Sequence, residues 1–87
     1  MKSRTTRKFW RLFYALPTDV QVQALLTYAT WSENPAHASL RFKRVTSNEP
    51  IYSVRIGLGH RALGKFNGDT VTWFWVGSHA AYDRMLG

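Results

Sequence analysis

The chain has 87 residues, with twelve Lys and Arg against five Asp and Glu, a formal charge of +7, three histidines and no cysteine. That length supports one domain over residues 1–87 with a thin core, in which the 15% of aromatic residues must supply much of the buried area. Without cysteine there are no disulfides or thiolate metal sites. No apolar run approaches the ~18–20 residues of a membrane span and no hydrophobic leader is present, so the expectation is a cytoplasmic protein with no membrane role.

His37, His60 and His79 lie far apart and have no neighbour at a ligand spacing, so no metal site is expected. Eight of the twelve cations are Arg, whose guanidinium grips phosphate with two donors. The charge excess points to a polyanionic partner: nucleic acid, a ribosome or an acidic protein.

Lys2, Arg4, Arg7, Lys8 and Arg11 place five cations in the first eleven residues. Phe9, Leu12, Phe13 and Leu16 recur at helical spacing and predict an amphipathic helix that Pro17 ends. A second helix follows at once. Pro17 suits its first turn, and Asp19 complements the positive end of its dipole. Val22, Leu25, Leu26 and Ala29 repeat the i, i+3, i+4, i+7 pattern and predict its core face, extended by Tyr28 and Trp31. Asn34-Pro35 stops it. The short joint predicts an antiparallel helical hairpin.

The period then changes to two. Leu40 to Lys43 alternates apolar and basic residues and predicts a strand with Arg41 and Lys43 on one face. Ser47 to Pro50 reads as a turn. Tyr52, Val54 and Ile56 form one face of the next strand, Ser53 and Arg55 the other. Gly57-Leu58-Gly59 makes a tight connection to a third strand over His60 to Phe66. Asn67-Gly68 signals a hairpin. Thr70 to Val76 is apolar on both faces and predicts a strand covered on both sides. Gly77 is expected to break it, and Ser78 to cap a last helical segment. The fold class is therefore α+β: an N-terminal antiparallel helical hairpin on a twisted, mainly antiparallel sheet of about four strands. A short helix closes the chain, and there is room for a strand ahead of the first helix.

Arg55 and Arg61 flank the tight connection on adjacent strands, and with Arg41 and Lys43 they would line one side of the sheet. A solvated polar face is the plainer reading of any one of these cations. It fits Arg61 least, because that strand has little other polarity. His79 and Tyr82, three apart, share a face of a helical turn at the end of the fourth strand. One exchanges protons near neutral pH and the other donates a hydrogen bond. Arg61 and His79 are both expected at the surface. No serine has a His/Asp partner at a recognisable spacing, and no glycine run makes a phosphate loop. Phe42, Tyr52, Phe66, Trp73, Phe74 and Trp75 suit base stacking in type, but a chain this short needs most of them in its core.

Together these segments resemble the RelE/ParE superfamily of bacterial toxin–antitoxin toxins, from about Phe9 to Leu86. The likeness is carried by Leu16-Pro17, Trp31 to Pro35, Ser39 to Arg44, Tyr52 to Ile56, His60 to Gly64 and Trp73 to Tyr82, in that order and spacing. It implies a RelE-like fold and a separately encoded antitoxin. For the RelE branch it implies an endoribonuclease that acts on mRNA at the ribosome, needs no metal or cofactor, and inhibits translation. In such chemistry the 2′-OH attacks the adjacent phosphate, cations hold the phosphate, and an acid/base pair moves protons. By position the resemblance assigns that work to Arg55, Arg61, His79 and Tyr82. Arg41, Lys43, Arg4, Arg7 and Lys8 are the expected RNA contacts. Ser53 stands where the RelE branch often has a second lysine, and no carboxylate base is expected on the sheet face. The alternatives are the ParE branch, which poisons DNA gyrase on the same fold, and a catalytically inactive binding relative.

Overall fold

One mixed sheet of five strands organises the chain in the computed structural model, which describes residues 1–86. The chain order is β1 (Lys2–Thr5), α1 (Arg7–Tyr14), α2 (Thr18–Glu33), a 3₁₀ turn (Ala38–Leu40), β2 (Lys43–Arg44), β3 (Ile51–Ile56), β4 (His60–Asn67), β5 (Thr70–Ser78) and α3 (His79–Leu86). The strands lie in the order β1-β5-β4-β3-β2, with β1 parallel to β5 and the other pairs antiparallel. The extra strand, beyond the four of the meander, is β1. It takes up part of the N-terminal basic run before Thr6 caps α1 by accepting from the Phe9 N–H at 3.1 Å. Among the described residues no helix is long and apolar enough to cross a membrane.

Pro17 stands just before α2, and its carbonyl accepts from the N–H groups of Val20 and Gln21. The Gln21 amide donates to the Leu16 carbonyl at 3.0 Å and ties the joint between the helices. The inward face of α2 is not the one its Leu residues predict. Val20, Ala24 and Trp31 are buried, whereas Leu25, Leu26 and Val22 are exposed, Leu26 by 64%. Ala29 is exposed as well. The two faces lie about 170° apart at 3.6 residues per turn, on opposite sides of the helix. Trp31 decides between them: its indole meets the rings of Trp73 and Phe42 edge-on, at centroid distances of 5.3 and 6.0 Å. One indole buries more area than a leucine, and a small Ala24 lets the helix approach the sheet.

The segment before β2 also departs from expectation. Leu40 is buried in the helix-side core, and the chain reverses after it with Arg41 in the left-handed region at φ 47°. Arg41 is therefore not on a strand and shares no strand face with Lys43. Only Lys43 and Arg44 pair with β3, opposite Ser53 and Tyr52.

At the β4–β5 hairpin Asn67 pairs with Thr70, so the two central residues are Gly68 and Asp69. Gly68 has φ 66°, the positive value a II′ turn requires at its first central position. Gly77 does not break β5, which runs on to Ser78. Instead Gly77 pairs with Arg61, and a Cβ there would come within 2.7 Å of the Trp75 ring.

The sheet buries side chains on both faces. Phe13, Val54, Ile56, Ala62, Val71, Trp73 and Val76 pack with the N-terminal helices on one side. Leu63, Trp75 and Tyr82 form a smaller cluster on the other, where α3 crosses. The candidate site residues lie on that second face.

Candidate functional site

Directly opposed residues of an antiparallel pair share a face. The register sets Lys43 opposite Ser53, Ser53 opposite Leu63, Arg55 opposite Arg61, and Arg61 opposite Gly77. Lys43, Ser53, Arg55 and Arg61 therefore lie on the face that α3 covers in part. The tight Gly57–Gly59 turn brings the two arginines side by side, with Gly57 at φ 57°.

Arg61 is not a surface group; it is only 6% exposed. Its Nε donates to Ser53 Oγ at 2.5 Å, and Ser53 is wholly buried. Its Nη2 donates to the Arg41 carbonyl at 3.3 Å, and its Cζ lies 5.1 Å from the centroid of the Tyr82 ring. The flat guanidinium stacks on the phenol. Burial lowers the Arg61 pKa, Tyr82 raises it, and the neighbouring charge of Arg55 lowers it again. The group remains a guanidinium throughout the physiological range. Ser53, standing where a lysine might be expected, is thus the acceptor that orients Arg61.

Tyr82 is buried, so its ring is not free to stack on a base. It lies between Arg61 and His79, whose imidazole meets it edge-on at a centroid distance of 5.7 Å. His79 is exposed at the start of α3. Its backbone N–H donates to the Gly59 carbonyl at 2.8 Å and ties α3 to the turn that carries the arginines. Ser78 caps the helix by accepting from Ala81 N–H at 3.1 Å. His79 Nδ1 is 3.0 Å from Asp83 Oδ2. With that carboxylate accepting from Nδ1–H, Nε2 keeps its lone pair for a substrate proton. Asp83 is the functional candidate that the sequence reading missed. Its signal was present: His and Asp at i, i+4 share a helix face.

Arg55 Nε donates to the Gly57 carbonyl at 2.9 Å, and its two terminal nitrogens have no partner among the described residues. The structure thus brings together Arg55, Arg61, His79 and Tyr82, with Lys43 on the same face and the Arg41 carbonyl inside the cluster. It does not bring Arg4, Arg7 or Lys8 there. Arg4 is in β1, three strand steps from β3, which is about 14 Å at ~4.8 Å per step. Among the described residues no group of His, Asp and Glu is placed to hold a metal ion.

Residues 18–84 match the family profile described as the ParE-like toxin domain, and the chain belongs to that family. The fold recurs in solved toxins. The RelB–RelE antitoxin–toxin complex of Methanococcus jannaschii contains a chain similar at TM-score 0.76 and 15% identity, with 97% of this chain and 99% of that one covered. YafQ from E. coli BL21(DE3) is similar at TM-score 0.74 and 10% identity, covering 93% and 96%. A chain of the RelBE2 toxin–antitoxin complex of Mycobacterium tuberculosis is similar at TM-score 0.68 and 22% identity, covering 90% and 96%. Identities this low establish the shared RelE/ParE toxin fold. No curated protein matches the chain.

Proposed function

We propose that this chain is the toxin of a toxin–antitoxin pair and acts as a metal-independent, ribosome-dependent endoribonuclease that cuts mRNA and arrests translation. One observation carries this reading: an arginine pair and a carboxylate-oriented histidine meet on one face of the sheet, around Tyr82. The terminal N–H groups of Arg55 and the remaining N–H groups of Arg61 would hold the scissile phosphate. Negative charge grows there as the 2′-oxygen attacks. His79 Nε2, oriented by Asp83, would accept the 2′-OH proton. The new 2′-O–P bond closes a 2′,3′-cyclic phosphate while the P–O5′ bond breaks, and the leaving 5′-oxygen takes a proton from water. Tyr82 positions the two flanking side chains.

The separate partner of this reading is an antitoxin. Several of the similar solved structures are toxin–antitoxin complexes. The exposed apolar face of α2 and the basic surface suit an acidic amphipathic segment.

Two observations favour a second reading as a gyrase inhibitor. Arg61 is largely enclosed, and the matching family profile is ParE-like. Controlled induction separates the readings. Arrested translation with mRNAs cut at mappable positions supports the nuclease. Blocked DNA replication with translation continuing supports the gyrase reading. Harmless induction with intact RNA leaves a binding protein.

A further inference from the structure

Because β2 is only two residues long, it leaves the outer edge of β3 uncovered beyond Ser53. A hollow of about 430 Å³ opens there, between the C-terminal half of α2, the 3₁₀ turn and the β3–β4 turn. That volume falls within the ~300–1,000 Å³ of ligand-sized hollows. Arg55 stands at the end of the uncovered edge and belongs to both places: it lines this hollow, and it sits opposite Arg61 in the site described above.

The rest of the lining has a consistent chemistry. Thr27, Thr30 and Ser39 contribute hydroxyls, Leu26 and Leu58 contribute apolar walls, and no carboxylate takes part. Leu58, at the tip of the turn, is 86% exposed, a place where a leucine gains nothing from the fold itself. The Thr30 hydroxyl donates to the Leu26 carbonyl at 3.2 Å. The Ser39 hydroxyl lies 2.8 Å from His37 Nδ1, which already accepts from Ser39 N–H, so this hydroxyl also donates. With their hydrogens used, the hydroxyls of these two lining residues can act only as acceptors toward a ligand.

We propose that this hollow binds one nucleotide of an RNA strand, next to the phosphate held between Arg55 and Arg61. The cation takes the phosphate, the leucines cover the flat faces of the base, and the hydroxyl oxygens accept from its edge. Two hydroxyls fixed as acceptors select bases with an exocyclic amino group (adenine, cytosine and guanine) over uracil, which has none. The inference rests on the RNA-directed reading of the site, but it concerns binding rather than cleavage.

The test uses 2′-O-methyl trinucleotides of adenine, cytosine and uracil, whose blocked 2′-oxygen prevents cleavage, titrated into the ¹⁵N-labelled full chain. Amide shifts should centre on Thr27, Thr30, Ser39, Arg55 and Leu58, with the adenine and cytosine oligomers binding more tightly than the uracil one. Leu58→Asp, on an exposed turn, should weaken binding at least about tenfold by replacing an apolar wall of the base with a carboxylate whose charge also repels the strand's phosphates. Thr30→Val, which keeps the shape and removes an acceptor, should narrow the preference for amino-bearing bases. Shifts confined to Arg61, His79 and Tyr82, or binding of Leu58→Asp within about twofold of wild type, would overturn the proposal. The titration needs neither ribosome nor cleavage. Shifts in the hollow with uncut mRNA on induction remove the nuclease reading and keep the hollow. Cut mRNA with a silent hollow removes the hollow alone.

Discussion

Three groups hold the Arg61 guanidinium: a buried hydroxyl, a backbone carbonyl and the face of a phenol. Truncating it strands the first two without a donor, and each buried unsatisfied group costs ~1–3 kcal/mol. Arg61→Ala should therefore destabilise the domain by about 2–4 kcal/mol, which in a domain this small lowers Tm by on the order of 10–20 °C. Ser53→Ala should cost less, about 1–2 kcal/mol, because the guanidinium keeps its other contacts. A melt of Arg61→Ala that matches wild type would return the residue to the surface. The pair of His79 and Asp83 behaves differently because both side chains are exposed. His79→Ala and Asp83→Asn should leave Tm nearly unchanged, since exposed pairs contribute little to stability. Single-turnover RNA cleavage on ribosomes should drop by about 10² or more with His79→Ala and by a smaller factor with Asp83→Asn. Cleavage by His79→Ala within about threefold of wild type would remove the proton-transfer role.

Among the elements, α2 is the one whose orientation matters most. Its Leu25 and Leu26 face outward and its Trp31 faces the sheet. Leu25→Lys and Leu26→Lys should each change stability by no more than about 0.5 kcal/mol, whereas Trp31→Ala should cost about 3–5 kcal/mol. The opposite ranking in chemical denaturation would mean that the helix is rotated. Strand β5 carries a comparable constraint at Gly77, where an added methyl meets the Trp75 ring. Gly77→Ala should cost about 1–3 kcal/mol by overpacking and should disturb Arg61, its cross-strand partner.

At the scale of the molecule the notable quantity is unpaired positive charge. Of the Lys and Arg residues, only Lys2 and Lys65 make ion pairs among the described residues, with Asp69 and Glu49 at 3.8 and 3.2 Å. The rest of the +7 excess repels itself in the isolated fold and is available to a polyanion. The N-terminal cations and the arginine pair lie toward opposite edges of the sheet, so they should separate kinetically. Charge reversal at Arg4, Arg7 and Lys8 should slow association with ribosomes and flatten its salt dependence, with little effect on the cleavage step. An association rate indifferent to salt would count against a polyanionic partner.

Local pattern was enough for the α+β class, the order of the elements, the Arg55/Arg61 juxtaposition and the meeting of His79 with Tyr82. Each depends on a period, a turn residue or a helical spacing within a few tens of residues, and neighbours along the chain impose these directly. Tertiary packing decided the rest. Two faces of α2 carry apolar residues at helical spacing, and only the contact of Trp31 with Trp73 and Phe42 selects between them. Arg41 alternates correctly for a strand, but burial of Leu40 turns the chain at that point. Arg61 reads as a surface cation because its charge is visible in the sequence. The serine, carbonyl and phenol that enclose it come from residues 8, 20 and 21 positions away and meet it only when the sheet has formed and α3 has closed over it.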